Sequence, residues 1–416
     1  MRQPAETERA EIEAPGGAPG RSPLLIIFTC VFLDMLGYGM IVPLLPFMVR
    51  ESADSALLVG LLSSLYALMQ LLLAPVLGAL SDRAGRRPVL IACLLIAAGA
   101  YGLLGVAAQI GSLPLIFVAI AIGGAAGATI PTAQAYIADT TAPAERARGL
   151  GLIGAAFGLG LMLGPASGGL LSIYGLGVPA FLAAALALAN GVYALFALPE
   201  SLPPARRTRQ PLRVGGLVGQ IAAALAERAV RPLLLAIFLL NLAFTGLQSN
   251  FALFSNTRFG WDPTANGIFF AFVGLCAVIT QGVLIGRLQP ALGEPLLVVG
   301  GLGTMAACLA LTPLAPAGWV LYPLVGLMAL GTGLAIPSLT SIVSRRAGEG
   351  RQGVVMGGMQ AILSATLVIG PALAGLLFDT FGPGAPYLNG GILAGVAFLV
   401  AAAGLWPALR RPEAAS

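Results

Sequence analysis

Histidine and lysine are both missing from this chain, so all 22 of its basic side chains are arginine. Without histidine it lacks the side chain that titrates closest to neutral pH and the commonest metal ligand. Charge of either sign is sparse at 9% of residues, where soluble domains carry about 25%. The four cysteines, Cys30, Cys93, Cys276 and Cys308, are scattered and none belongs to a C-x-x-C pair. They read as small buried apolar residues, not as a disulfide frame or a metal site. No G-x-x-x-x-G-K-[ST] loop occurs, which argues against nucleotide as an energy source, and no catalytic constellation is visible. The expectation is a non-enzyme with no cofactor and no metal. The net charge of +5 sits on arginines in short loops and does not point to nucleic acid.

Apolar residues fill the chain instead. They make up 58% of it, and the mean hydropathy is +0.92, far outside the range of soluble domains. Runs of about 20 apolar residues cross a bilayer. The pattern predicts an all-α membrane protein with twelve spans near 24–48, 57–80, 88–108, 113–138, 147–172, 176–198, 230–254, 264–289, 295–315, 318–343, 352–378 and 384–409. The first run contains Asp34 and two prolines and is long enough to span, unlike a signal core. Residues 1–23, rich in Pro, Gly and Glu and including the acidic stretch Glu6 to Glu13, read as a disordered cytoplasmic tail. The long internal break at 199–229 holds Pro203, Pro204, Arg206, Arg207, Arg209 and Arg213. It reads as a cytoplasmic linker between six-helix bundles at 24–198 and 230–409, with a short tail at 410–416. With twelve spans, every arginine except Arg50 and Arg258 falls on the side of the termini. The positive-inside rule puts that side in the cytoplasm, giving a multi-pass protein of the plasma (inner) membrane.

The two halves repeat. Ile130-Pro131 recurs as Ile336-Pro337 and Gly164-Pro165 as Gly370-Pro371, both at an offset of 206 residues. Gly127 and Gly333, Gly151 and Gly357, and Gly169 and Gly375 keep the same spacing. The offset is one six-helix unit, so the repeats run parallel. An axis along the membrane normal then relates two pseudo-symmetric bundles around a central cavity.

Asp34 lies about ten residues into the first span. A carboxylate in hydrocarbon costs several kcal/mol or more unless it is neutralised, paired or hydrated, which makes it a functional candidate by default. Three roles are open to it: a proton-carrying group, a counter-ion for cationic substrates, or a structural group held by nearby hydroxyls. Between spans 2 and 3, the run Gly78-Ala-Leu-Ser81-Asp82-Arg83-Ala-Gly85-Arg86-Arg87-Pro88 is a tight basic turn. Gly78 permits close helix contact and Gly85 a positive φ. Pro88 suits a first helical turn, and Asp82 can accept from arginine or from the amides at a helix start. A plain basic anchor is the alternative. In span 5, Gly154, Gly158, Gly160, Gly164, Gly168 and Gly169 recur at roughly helical spacing around Pro165. That pattern suits either a smooth bent helix at a moving interface or ordinary glycine-mediated packing. Asp379, near the outer end of span 11, reads as a hydrated interfacial acid.

The 78–88 turn resembles the signature loop of the major facilitator superfamily. The span 5 glycines are similar to that superfamily's antiporter signature. Leu33-Asp34-x-x-Gly37-x-Gly39-x-x-x-Pro43-x-x-Pro46 resembles the first helix of the twelve-span drug:proton antiporters, tetracycline and multidrug efflux pumps among them. Tyr136-Ile137-Ala138-Asp139 followed by Glu145-Arg146-Ala147-Arg148 matches that group's junction between helices 4 and 5. The resemblance implies a proton-coupled exporter of hydrophobic or cationic small molecules that works by alternating access as a monomer in the bilayer. It implies a conformational gate of Gly78, Asp82, Arg83, Gly85, Arg86 and Asp139. In that gate Arg86 pairs with Asp139, and Asp82 docks near the start of helix 11 when the cytoplasmic side is closed. It implies an antiporter helix using Gly154, Gly158, Gly164, Pro165, Gly168 and Gly169, and proton coupling through Asp34.

The chain departs from that group at three places. Ile120 stands where many relatives carry a helix 4 arginine, and Ala277 and Thr304 replace a histidine and an acid used by the tetracycline pumps. No acid lies well inside a second-half helix. With spans 1, 4, 7 and 10 facing the centre in the architecture the resemblance implies, and 2, 5, 8 and 11 beside them, the expected substrate contacts are Phe32, Tyr38, Phe157, Asn241, Phe244, Thr245, Gln248, Gln281 and Gln360. Symport or facilitated diffusion of a metabolite is the rival transport mode. A non-transporting or lipid-handling membrane protein is the rival from another class.

Overall fold

The computed structural model describes residues 23–50, 53–142, 145–207, 216–348 and 350–409. The N-terminal tail up to residue 22, Arg209 and Arg213 of the linker, and the 410–416 tail lie outside the described residues. Among the described residues there is no strand, and twelve helices are long and apolar enough to cross a bilayer. They are α1 (Leu24–Arg50), α2 (Ala56–Ala84), α3 (Arg86–Gln109), α4 (Leu113–Thr140), α5 (Arg148–Tyr174), α6 (Gly177–Ala197), α7 (Arg231–Phe259), α8 (Pro263–Leu292), α9 (Glu294–Leu314), α10 (Gly318–Arg346), α11 (Gln352–Phe381) and α12 (Ala385–Trp406). Several outrun their apolar stretches. The sequence reading ends span 2 at 80 and span 7 at 254, where polar residues begin, but the helices continue to Ala84 and Phe259. They stop at Gly85 (φ 113°) and Gly260 (φ 70°), because a helix ends where the backbone reverses, not where hydropathy falls. Side chains such as Leu72, Ile173, Leu188, Ile392 and Leu399 are exposed along the outer faces, as a lipid-facing surface requires.

The helices pack in a pattern that repeats. Helix α1 packs on α5 and α6, α3 on α4 and α6, and α2 on α4. Adding six to each number gives α7 on α11 and α12, α9 on α10 and α12, and α8 on α10, all of which are observed. Contact between the first six helices and the last six runs mainly through α2–α11 and α5–α8. These pairs exchange under the same operation.

Glycines make the approaches close, as van der Waals packing in lipid demands. A methyl group on Gly164 would sit 2.7 Å from Gly39 Cα, so α5 lies directly on α1 there. The mate contact, Gly370 of α11 on Thr245 of α7, follows at the 206-residue offset.

Two helices are broken where proline and glycine dictate. In α1, Pro43 sets a 3-10 turn at Val42–Leu44. In α4 the helical ladder lapses between Ala125 and Thr129. Pro131 has no amide to give the Gly127 carbonyl, and Gln70 Nε2 of α2 donates to that carbonyl instead at 2.9 Å. The repeat copy, Pro337, leaves α10 unbroken.

Candidate functional site

Asp34 is 8% exposed, facing inward from α1. Its side-chain hydrogen-bond partner is Thr129, the first residue after the break in α4. The α4 break therefore sets the environment of the acid in α1. No ion pair to Asp34 occurs among the described residues. Tyr66 and Tyr101 lie within its electrostatic reach. Tyr38, one turn further along α1, packs its ring 5.3 Å from that of Tyr66.

These tyrosines wall a central cavity. It is lined from α1 to α4, with α7 and α11 closing it through Thr245, Gln248, Ser249, Leu367 and Pro371. Of the expected substrate contacts, Tyr38, Thr245 and Gln248 are brought together on its wall. The others do not line it. Phe32 stacks on Phe28, Asn241 donates to the Ile237 carbonyl at 2.8 Å, and Phe244 packs into the core of the last six helices. Phe157, Gln281 and Gln360 are exposed. Helix α10, expected at the centre, gives this cavity no wall residue, while α2 and α3 give Ser63, Tyr66, Gln70 and Tyr101. The signal for the α2 residues was present: positions 63, 66 and 70 recur at helical spacing and put polar groups on one face of an apolar helix.

The basic turn is drawn together around Arg86, the first residue of α3. Its Nε lies 2.9 Å from Asp139 at the end of α4, and its Nη1 2.5 Å from Asp82. Ser81 Oγ is a third partner at 2.6 Å. Arg83 lies in the last turn of α2. Glu200, just after α6, caps α3 by accepting from the Arg86 amide at 2.9 Å. Its carboxylate fills the space a side chain at Gly85 would need, so both space and φ demand glycine there. Among the described residues Asp82 pairs with Arg86 and makes no hydrogen bond or ion pair to α11, and Gly78, Gly353 and Gly357 have open space beside them.

The antiporter-type glycines divide along α5. Gly160, Gly164 and Gly168 press on α1 at Met35, Gly39 and Met40. Gly169 presses on α8, a methyl there lying 2.7 Å from the Pro263 carbonyl, and Pro165 meets Gly267. Gly158 barely reaches Val278 at 3.9 Å, and Gly154 and Gly151 touch nothing. On the other seam, Gly60 packs on Pro371 and Gly375 on Ala56. The two groups of six helices are thus closed at the end of Arg50 and Arg258 and splayed at the arginine-rich end.

Two features were not legible. Asp379 is not simply hydrated: it accepts from Ser55 Oγ (2.8 Å), the Ala56 amide (2.8 Å) and the Leu57 amide (3.0 Å), a contact 322 or more residues apart that no local pattern reveals. Glu294, at the start of α9, is buried against Arg345, Ser341 and Gln289. Arg345 occupies the repeat position of Asp139, so this pair mirrors Arg86–Asp139 with its charges exchanged.

Comparison with known proteins agrees with this geometry. The chain is 35% identical over 361 residues to the class C tetracycline resistance protein of Escherichia coli, covering 85% of this chain and 89% of the relative. It is 30% identical to multidrug resistance protein 2 of Bacillus subtilis, covering 85% and 88%. The crystal structure of the human organic anion transporter MFSD10 superposes with a TM-score of 0.70 at 24% identity, over 92% of this chain and all of that one, which speaks to the fold. The family model described as Major Facilitator Superfamily matches residues 27–365. On the strength of that match, over most of its length, this chain belongs to the Major Facilitator Superfamily of membrane transporters.

Proposed function

We propose that the chain exports hydrophobic or cationic small molecules in exchange for protons, by alternating access across the inner membrane, as a monomer with both termini in the cytoplasm. The observation that carries this reading is Asp34: a single carboxylate, 8% exposed, one turn from a tyrosine-lined cavity and held by a hydroxyl instead of an arginine. A charge so placed is relieved by taking up a proton, and a cationic substrate competes for the same field. Aromatic faces with a few amides favour flat, apolar or cationic compounds. The relatives named for tetracycline and multidrug resistance support drug efflux and an antibiotic-resistance role.

The shared packing pattern of α1–α6 and α7–α12 supports two bundles joined by the 199–229 linker. With the arginine-rich end in the cytoplasm, the conformation described is inward-open. In the opposite state, Gly154 and Gly158 of α5 would meet α8, and Asp82 would reach the start of α11. Gly78, Arg83, Gly85, Arg86 and Asp139 would hold the turn in shape. An interface contact of this kind acts by differing between states, not by being strong.

The test uses inside-out vesicles with an imposed proton gradient and a fluorescent cationic drug. Gradient-driven accumulation by the wild type, lost in Asp34→Asn, is the expected result. Accumulation that survives the substitution removes Asp34 from coupling, and no accumulation across several drug classes removes multidrug export.

A further inference from the structure

We propose that Asp379 is a positioning residue of the transport cycle: it holds the arginine-poor end shut by capping the first turn of a helix that belongs to the other half. The proposal rests on the alternating-access reading above.

Asp379 stands in the last turn of α11, and its carboxylate takes the Ala56 and Leu57 amides and the Ser55 hydroxyl of α2. The first amides of a helix have no partner within it, and a negative charge at that end also meets the positive pole of the helix. Among the described residues no acid of the segment leading into α2 caps it: Asp54 is turned to Arg50 at 3.5 Å, and the Ser55 hydroxyl reaches the Leu58 amide only at 3.4 Å. The symmetry-related seam is built differently. There α8 carries its own cap, Asp262 accepting from the Ala265 amide at 2.7 Å. Ile173 stands at the repeat position of Asp379. The seam between α8 and α5 is bridged by Thr264 Oγ1 donating to the Gly169 carbonyl at 3.0 Å. Only the α2 seam therefore loses a helix cap when the halves part at this end.

Arg50 adds a second contact at the same end. It bonds the side-chain oxygen of Asn256, which is its own repeat mate 206 residues on, so the contact sits at the pseudo-symmetry axis. Asn256 is oriented by donating to the Trp261 carbonyl at 2.8 Å. Both contacts cross between halves, and both must break for the cavity to open on this side.

The experiment measures distances between spin labels in the full-length protein reconstituted in lipid, with its four cysteines replaced. One pair, Tyr174→Cys with Phe381→Cys, reports the closed end. The other, Leu80→Cys with Val354→Cys, reports the splayed end. Asp379→Ala should raise the population open at the arginine-poor end about tenfold, while the other pair shortens. Asp379→Asn, which keeps an acceptor and loses the charge, should give a smaller shift in the same direction. A purely structural role would lower thermal stability without moving the ratio of the two states, and that result overturns the proposal. Ends that move in the parent but ignore both substitutions overturn the latch alone. Ends that stay fixed in the parent under a proton gradient with drug overturn alternating access and the latch with it.

Discussion

Pro131 shows how one residue reaches across three helices. Its missing amide leaves the Gly127 carbonyl without a helical donor, and Gln70 of α2 answers that carbonyl at 2.9 Å. The break beside it starts the second part of α4 at Thr129, the partner of Asp34. A buried carbonyl stripped of its donor costs about 1–3 kcal/mol. Gln70→Leu should therefore destabilise the protein by about that amount in detergent unfolding. In a Pro131→Ala background the restored amide can take the carbonyl, so the loss from Gln70→Leu should shrink. Equal losses in the two backgrounds would show that the carbonyl is not the reason. The sequence presented Pro131 and Gly127 as a repeated pair, yet gave no sign of Gln70, because a partner 57 residues away is chosen by packing.

Along α5 one glycine pattern serves two interfaces. Gly164 lies on α1, where a methyl would be 2.7 Å from Gly39 Cα, while Gly154 has empty space beside it. Overpacking of this kind costs about 1–3 kcal/mol, so Gly164→Ala should lower stability by about that much whatever the transport state. Gly154→Leu should leave stability unchanged and abolish drug accumulation, because the bulk would meet α8 only when the arginine-rich end closes. A Gly154→Leu protein that transports normally would remove α5 from the moving seam. The spacing of the glycines was readable from the chain. The division of labour among them was not, because helical period places residues on a face without saying what covers that face.

For the whole molecule, the seams are sealed at one end and open at the other. A membrane-impermeant maleimide applied from the arginine-rich side should label Gly357→Cys in a cysteine-free background. It should leave Gly375→Cys, pressed on Ala56, unlabelled from either side. Labelling of Gly357→Cys from the opposite side only would reverse the orientation drawn from the arginines. The charge-exchanged pair, Arg86–Asp139 in the first half and Glu294–Arg345 in the second, shows that the repeat preserves a bond between the start of one helix and the end of the next without preserving which partner carries which charge.

By itself the sequence determined that this chain lives in a bilayer, how many times it crosses, where its basic turn lies and that its halves repeat. Hydropathy, arginine placement and glycine spacing are local or periodic quantities, and a membrane makes them decisive because every backbone group must be satisfied within the protein. The tertiary structure alone decided which polar side chains share the cavity with Tyr38, that α4 breaks beside Asp34, and that Asp379 caps a helix 322 or more residues away. Those contacts depend on how far two helices are rotated and separated, and small residues along their seams set that geometry without specifying which groups meet.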